Sequence, residues 1–230
     1  MKKPIPANLR ALATDFDGTL AHDGTVSEAT LDGLQKLTAA DFQLILVTGR
    51  ELNELEKIFP QISWFDLAVM ENGAVLFHPG TGEVEPLASA PPSDFVARLH
   101  AQGLPVQVGK TIVATWEPHE TTVLETIKHM GLELQVIFNK GAVMILPSGV
   151  NKATGLRAAA ERLDLKVTEI AGVGDAENDH AFLEICGYSV AVANALPAIR
   201  DKVDYVTERD HGEGVSELID RILAARKVAP

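Results

Sequence analysis

The stretch Leu9-Arg10-Ala11-Leu12-Ala13-Thr14-Asp15-Phe16-Asp17-Gly18-Thr19-Leu20 sets how the rest of the chain is read. Residues 9–14 read as a first strand, and the strand ends at Asp15. With one residue between them, Asp15 and Asp17 can both point off the strand end while Phe16 turns into the core. Gly18 lets the chain turn sharply behind them. Two adjacent carboxylates repel unless a cation or a shared proton compensates. Oxygen-only ligands favour a hard cation, and a site that also receives phosphate favours Mg²⁺. The same residues also suit a plain strand-capping turn, so the rest of the chain must decide between the two.

Downstream, strand-like runs alternate with amphipathic helices. Ser27 is placed to cap a helix with Leu31, Leu34 and Leu37 on one face. Residues 42–47 form an apolar run ending at Thr48-Gly49-Arg50, which suits a strand buried on both faces of a parallel sheet. A helix with Leu52, Leu55 and Phe59 inward stops at Pro60, and residues 67–70 and 74–77 flank the turn Glu71-Asn72-Gly73. The rhythm resumes after Gly149. It predicts a helix over 151–163, a strand over 169–174 ending at Asp175, a helix over 176–185 and a strand over 189–192. A short edge strand at 205–206 and an amphipathic C-terminal helix carrying Val215, Leu218, Ile219, Ile222 and Leu223 complete it.

Between these halves the pattern changes. Breaker clusters stand at residues 78–82, 91–92 and 147–149. Inside them the chain reads as a helix that Ser93 could cap, a hairpin around Gly109-Lys110, a helix over 121–130, and a hairpin around Asn139-Lys140-Gly141. The expected fold is α/β. Residues 1–80 and 149–230 would form a doubly wound, mostly parallel, Rossmann-like core, and residues 81–148 an inserted α+β cap.

Composition sets outer limits. The 230 residues are 46% apolar and 23% charged, an ordinary globular balance that argues against disorder. Cys186 is the single cysteine, which excludes an internal disulfide and suits a reducing, cytoplasmic setting. The longest apolar runs fall far short of a bilayer helix, and the N-terminal residues lack the apolar stretch of a secretory signal. A net charge of −12 argues against nucleic acid or an anionic membrane as partner. It leaves room for a small anionic substrate beside a bound cation. A monomer or a homodimer is compatible with all of this.

In open α/β sheets, ligands bind beyond the carboxyl ends of the strands. The polar residues at those ends are Asp15 with Asp17, Thr48, and Asp175 with Asp179, while Lys152 opens the helix after the insert. Singly, Asp175 reads as a helix cap, Thr48 as structural and Lys152 as solvated. Together, the order acid pair, hydroxyl, ammonium, acid pair points to one shared rim. Arg50 follows Thr48 and faces that rim. Lys110, Lys140, His119 and Trp116 are candidate contacts from the insert, although the two hairpin lysines also suit solvent and Trp116 suits packing. Cys186 reads as a small buried hydrophobe rather than a nucleophile.

These segments resemble the four motifs of the haloacid dehalogenase superfamily of phosphohydrolases. Residues 15–20 are similar to its first motif, Val47-Thr48-Gly49-Arg50 to its second, Gly149-Val150-Asn151-Lys152 to its third, and residues 174–179 to its fourth. The insert lies between the second and third motifs and is similar to the α/β cap of the Cof-type branch, as is Asn72-Gly73 after a strand. His180 departs from that branch, which more often has an apolar residue there.

The resemblance implies hydrolysis of a small phosphate monoester, a sugar phosphate or a phosphoglycolate-like acid, through a phospho-aspartyl enzyme. Asp15 would be the nucleophile and Asp17 the proton carrier. Thr48, Gly49, Arg50, Asn72 and Asn178 would contact substrate, and Lys152 would neutralise the transferring group. Mg²⁺ would be held by Asp15, Asp17 and Asp175, with Asp179 assisting. Two rivals stay open: a phosphomutase using the same phospho-aspartate, and a phosphate-ester-binding regulatory domain with little turnover. A dehalogenase fits less well, because Asp17 and the acidic fourth motif suit metal-assisted phosphoryl transfer.

Overall fold

Ala11–Thr14 form β1, and all four residues are buried, as a strand with parallel neighbours on both sides and cover on both faces must be. The computed structural model describes residues 3–139 and 141–228. The chain continues through α1 (Glu28–Thr38), β2 (Gln43–Val47), α2 (Leu52–Ile58), β3 (Leu67–Met70), β4 (Val75–His78) and β5 (Glu83–Pro86). Ser27 caps α1 as its residue type predicts, its hydroxyl accepting the N–H of Thr30 at 3.2 Å. Strands β1, β2 and β3 pair in parallel, with Leu12 opposite Leu44 and Leu46 opposite Ala68. Strands β4 and β5 add antiparallel.

The inserted segment comes next: α3 (Ser93–Ala101), β6 (Gln107–Val108), β7 (Val113–Trp116), α4 (Glu120–Met130), β8 (Leu134–Asn139) and β9 (Ala142–Pro147). Its strands form a separate antiparallel sheet in the order β6-β7-β9-β8. Strand alternation divides that sheet into two faces. Val113, Val136 and Ile145 join Phe95, Leu99, Val123 and Ile127 of the two helices in a small apolar cluster of their own. Met144, Leu146, Ala114 and Ala142 point the other way and pack against the main core.

The chain then returns to the large sheet with α5 (Lys152–Arg162), β10 (Ile170–Gly174), α6 (His180–Ile185), β11 (Tyr188–Ala191), α7 (Pro197–Arg200), β12 (Tyr205–Val206) and α8 (His211–Val228). The eight strands stand in the order β12-β11-β10-β1-β2-β3-β4-β5. The strand order reverses beside β1, which puts the ends of β1, β2 and β10 next to one another. Helix α5 is started by Asn151, whose side chain accepts the N–H of Ala153 and Thr154 while the Thr154 hydroxyl accepts the Asn151 N–H. Among the described residues no helix is long and apolar enough to cross a membrane.

Three sequence-based expectations need correction. The breaker cluster at 78–82 is the tight turn between β4 and β5, so the strand after it belongs to the large sheet and the boundary at residue 80 falls too early. Ser93 is the first residue of α3, and Pro92 occupies the capping position with no side-chain hydrogen bond. The helix expected over 176–185 is a 3-10 turn at Glu177–Asp179 followed by α6, because Asp179 turns its carboxylate back onto the preceding backbone.

Candidate active site

Asp15 directly follows β1, Thr48 follows β2, Asp175 follows β10, and Lys152 is the first residue of α5. The structure brings Asp15, Lys152, Asp175 and Asp179 into one buried group, none more than 4% exposed. The Lys152 ammonium donates to Asp15 Oδ1 and to Asp179 Oδ1, both at 2.6 Å. Asp179 Oδ2 accepts the backbone N–H of Asp175 at 2.8 Å and of Ala176 at 3.0 Å. Both oxygens of Asp179 are thereby engaged, so this residue holds the lysine and the loop at once. The Thr19 hydroxyl donates to Asp175 Oδ1 at 2.9 Å, orienting that carboxylate.

Three carboxylates share one ammonium here, and that imbalance governs the electrostatics. Burial pushes the Asp15 carboxyl up to about 8, Asp179 adds to the rise, and Lys152 offsets only part of it. For Lys152 burial works downward, but Asp15 and Asp179 outweigh it and the net shift is upward. The ammonium stays charged. Carboxylate oxygens of Asp15, Asp175 and Asp179 lie within 4.8 Å of one another. This buried, oxygen-only donor set suits a divalent cation.

Asp17 and Arg50 form a bidentate pair, with Nε to Oδ2 and Nη2 to Oδ1 both at 2.8 Å. Each side chain is about one third exposed, at 37% and 32%. The hydrogen bond to Asp17 raises the Arg50 pKa above its ordinary value. The two residues expected to carry a proton and to meet substrate are thus bonded to each other. The guanidinium also lies 5.8 Å over the Phe16 ring, so Phe16 serves as its platform as well as a core residue.

A cavity of about 300 Å³ opens above this group. Asp15, Asp17, Gly49, Arg50, Lys152 and Asn178 line its floor, and Ala114, Trp116, Asn139, Ala142 and Met144 of the second sheet line its roof. Thr48 lies under the floor, fully buried, its hydroxyl accepting the Arg50 N–H at 3.2 Å. Asn72, expected to meet substrate, is also fully buried. Its amide accepts from Asn178 Nδ2 at 3.0 Å and reaches Met144 Sδ at 2.8 Å, so it supports Asn178 from below.

The remaining candidates separate. Trp116 does not pack; it is 47% exposed on the cavity wall. Lys110 borders a different cavity, with Val108 and Val84. His119 stands just before α4 and does not line the site. Lys140 lies outside the described residues. His180 and Cys186 line a third cavity, away from the cluster. Burial raises the Cys186 thiol, which donates to the Phe182 carbonyl at 3.1 Å, so it is no nucleophile.

Sequence reasoning missed Glu71. Its buried carboxylate accepts the backbone N–H of Lys110 at 2.9 Å, Thr111 at 2.7 Å and Ile112 at 2.8 Å. The partners are main-chain groups, which leave no mark in the residue types. The signal available was an acid placed just before Asn-Gly in a turn.

A family model described as haloacid dehalogenase-like hydrolase matches residues 12–108 and 105–219. The chain belongs to this family. Among the hydrolase's curated relatives is the phosphoglycolate phosphatase of Methanothermobacter thermautotrophicus, 31% identical over 225 residues that cover 94% of this chain and 99% of that one. Phosphoglycolate phosphatase 2 of Saccharolobus solfataricus is 29% identical, covering 96% and 95%. Solved structures share the fold: Thermoplasma acidophilum 0175 superposes with a TM-score of 0.81 at 17% identity over 94% of this chain and 98% of that one. A sugar phosphatase of subclass IIB gives 0.75 at 20% identity over 94% and 99%.

Proposed function

We propose that this hydrolase is a phosphatase acting on a small phosphate monoester by way of a phospho-aspartyl intermediate on Asp15. The observation that carries the reading is the buried Asp15–Lys152–Asp179 group, opening into a cavity of about 300 Å³. An Asp15 carboxylate oxygen would attack phosphorus as the ester P–O bond breaks. Asp17 would give its proton to the leaving alkoxide, then take one from the water that hydrolyses the acyl phosphate. Lys152 and the Gly49 N–H would hold phosphoryl oxygens, with Thr48 shaping the loop from beneath. Asp15, Asp175 and the Asp17 carbonyl would hold Mg²⁺. When bound, the ion would suppress the repulsion between nucleophile and phosphate.

The Arg50 pair adds a requirement. Both oxygens of Asp17 accept from Arg50, whereas to pass a proton to the leaving group one of them must face it. Arg50 would therefore leave Asp17 for an anionic group of the substrate. The names of the two curated relatives favour a phosphoglycolate-like acid, whose carboxylate would suit this arginine. Asn139 and Asn178 line the cavity, while their side-chain carbonyl oxygens are buried, with no hydrogen-bond partner among the described residues.

The test is phosphate release from 2-phosphoglycolate, a sugar-phosphate panel and an aryl phosphate, with and without Mg²⁺. Expected is Mg²⁺-dependent release that falls about a thousandfold or more in Asp15→Asn. Release that survives the substitution would sink the phospho-aspartyl reading. A requirement for a bisphosphate activator would move the assignment to a mutase.

A further inference from the structure

The turn after β3 is unusual in its backbone. Glu71, Asn72 and Gly73 have φ of 51°, 53° and 100°. Three successive residues in this region are costly, the first two being non-glycine. The surroundings fix the turn from several sides. The Glu71 N–H donates to the Arg50 carbonyl at 3.2 Å and the Asn72 N–H to the Thr48 carbonyl at 3.0 Å. A side chain at Gly73 would strike the Asn151 carbonyl at 1.9 Å, so the turn also seats the start of α5 and with it Lys152. The turn is thereby referenced to both the loop 48–50 and the lysine.

From this frame the Glu71 carboxylate reaches into the second sheet and takes the three successive amides of residues 110–112. A carboxylate buried to 4% exposure is tolerated because these donors replace its water. The clasped residues run straight into β7. Ile112 and Ala114, no more than two residues past the last clasped amides, line the cavity, and Trp116 follows on the same face. Two further ties lie nearby. Gln107 donates to Glu51 at 3.0 Å and Glu54 at 2.8 Å, and Met144 meets Asn72.

We infer that Glu71 is a positioning residue that sets the height of the cavity roof above the catalytic floor, and so selects the leaving group without touching it. The inference rests on the phosphatase reading, because it concerns the roof of that same site. The role belongs to the carboxylate's two acceptor oxygens. An amide in its place turns an NH₂ toward a backbone N–H and releases one side of the clasp.

The experiment compares wild type with Glu71→Gln on two substrates. One is the best ester from the panel, whose leaving group meets the roof. The other is acetyl phosphate, whose leaving group is small and needs no proton. Expected for the variant is a KM for the ester raised about tenfold, with acetyl phosphate turnover within about threefold of wild type. Amide hydrogen exchange at residues 110–112 is expected to be slow in wild type and to quicken in the variant, while β1 and β10 stay protected. Equal losses on both substrates would overturn the inference, as would fast exchange at those amides in wild type. If Glu71→Gln does not fold, Glu71→Asp replaces it, keeping the charge on a shorter reach, with the same expectation. If wild type releases phosphate from no substrate, the phosphatase reading fails and the selectivity inference fails with it. The exchange data then report on the clasp alone, so the two failures are told apart.

Discussion

The floor and the roof of the cavity are built on opposite principles. The floor concentrates charge: Asp15, Lys152, Asp175 and Asp179 sit within hydrogen-bonding or ligand distance of one another, all buried. The described part of the roof is small and apolar, with Ala114, Ala142 and Met144 around Trp116 and Asn139. The floor is fixed by side chains at strand ends. The roof is fixed by main-chain amides docked on one carboxylate. On the proposed function, the chemistry falls to side chains that the strand ends position, and selection to a surface hung from that frame.

The sharpest way to break the floor is Lys152→Met. It leaves three buried carboxylates without their ammonium, and removing one partner of a buried ion group costs about 3–5 kcal/mol. Urea unfolding of the metal-free protein should show that loss, with activity gone and divalent cation restoring part of the stability. A variant as stable as wild type would mean that water reaches the cluster freely.

The next effect is on pH dependence. Asp15 holds its proton up to about 8 in the folded, metal-free protein, against roughly 3.9 when unfolded. Between those values the folded state binds the extra proton, so this group's contribution to stability falls as pH rises through the window. Asparagine mimics the protonated form, so Asp15→Asn should gain stability over wild type as pH goes from 5 to 8. Added Mg²⁺ should stabilise wild type more at pH 8 than at pH 5.5, because binding must expel that proton. Melting temperatures of the two proteins, with and without Mg²⁺, read both. Parallel melting curves across pH would show that Asp15 titrates normally.

Arg50→Gln probes the border between the two regions. Its pair with Asp17 is about one third exposed, so stability should change by no more than about 1 kcal/mol. The expected loss is in substrate capture, a KM raised about tenfold for an ester with an anionic leaving group and less for a neutral one. Equal KM changes for both would assign Arg50 to the phosphoryl group or to Asp17 alone.

Most of the floor was legible in the sequence, for a physical reason. In a parallel sheet each functional group follows an apolar run, so Asp15, Thr48 and Asp175 announce themselves as the first polar residues after buried strands. Lys152 follows an Asn cap that marks its helix start. What escaped depends on contacts across the chain. The Asp17–Arg50 pair joins residues 33 apart, and nothing local to either residue shows that each is the other's partner. The double use of Asp179 shows only once the loop is folded back on it. Strand β5 is not legible, because its partly exposed edge sequence, Glu83-Val84-Glu85-Pro86, lacks the apolar run that marks buried strands. The roof was least legible, since small residues and backbone amides carry little identity.

One feature of the roof has an optical use. Trp116 is one of only two tryptophans in the chain, and it stands on the cavity wall while Trp64 lies elsewhere. Its indole emission senses whether solvent or ligand lies beside it. With Trp64 replaced by phenylalanine, the protein carries a single tryptophan, on the wall of its site and excitable apart from the two tyrosines, so occupancy can be followed by light with no turnover at all.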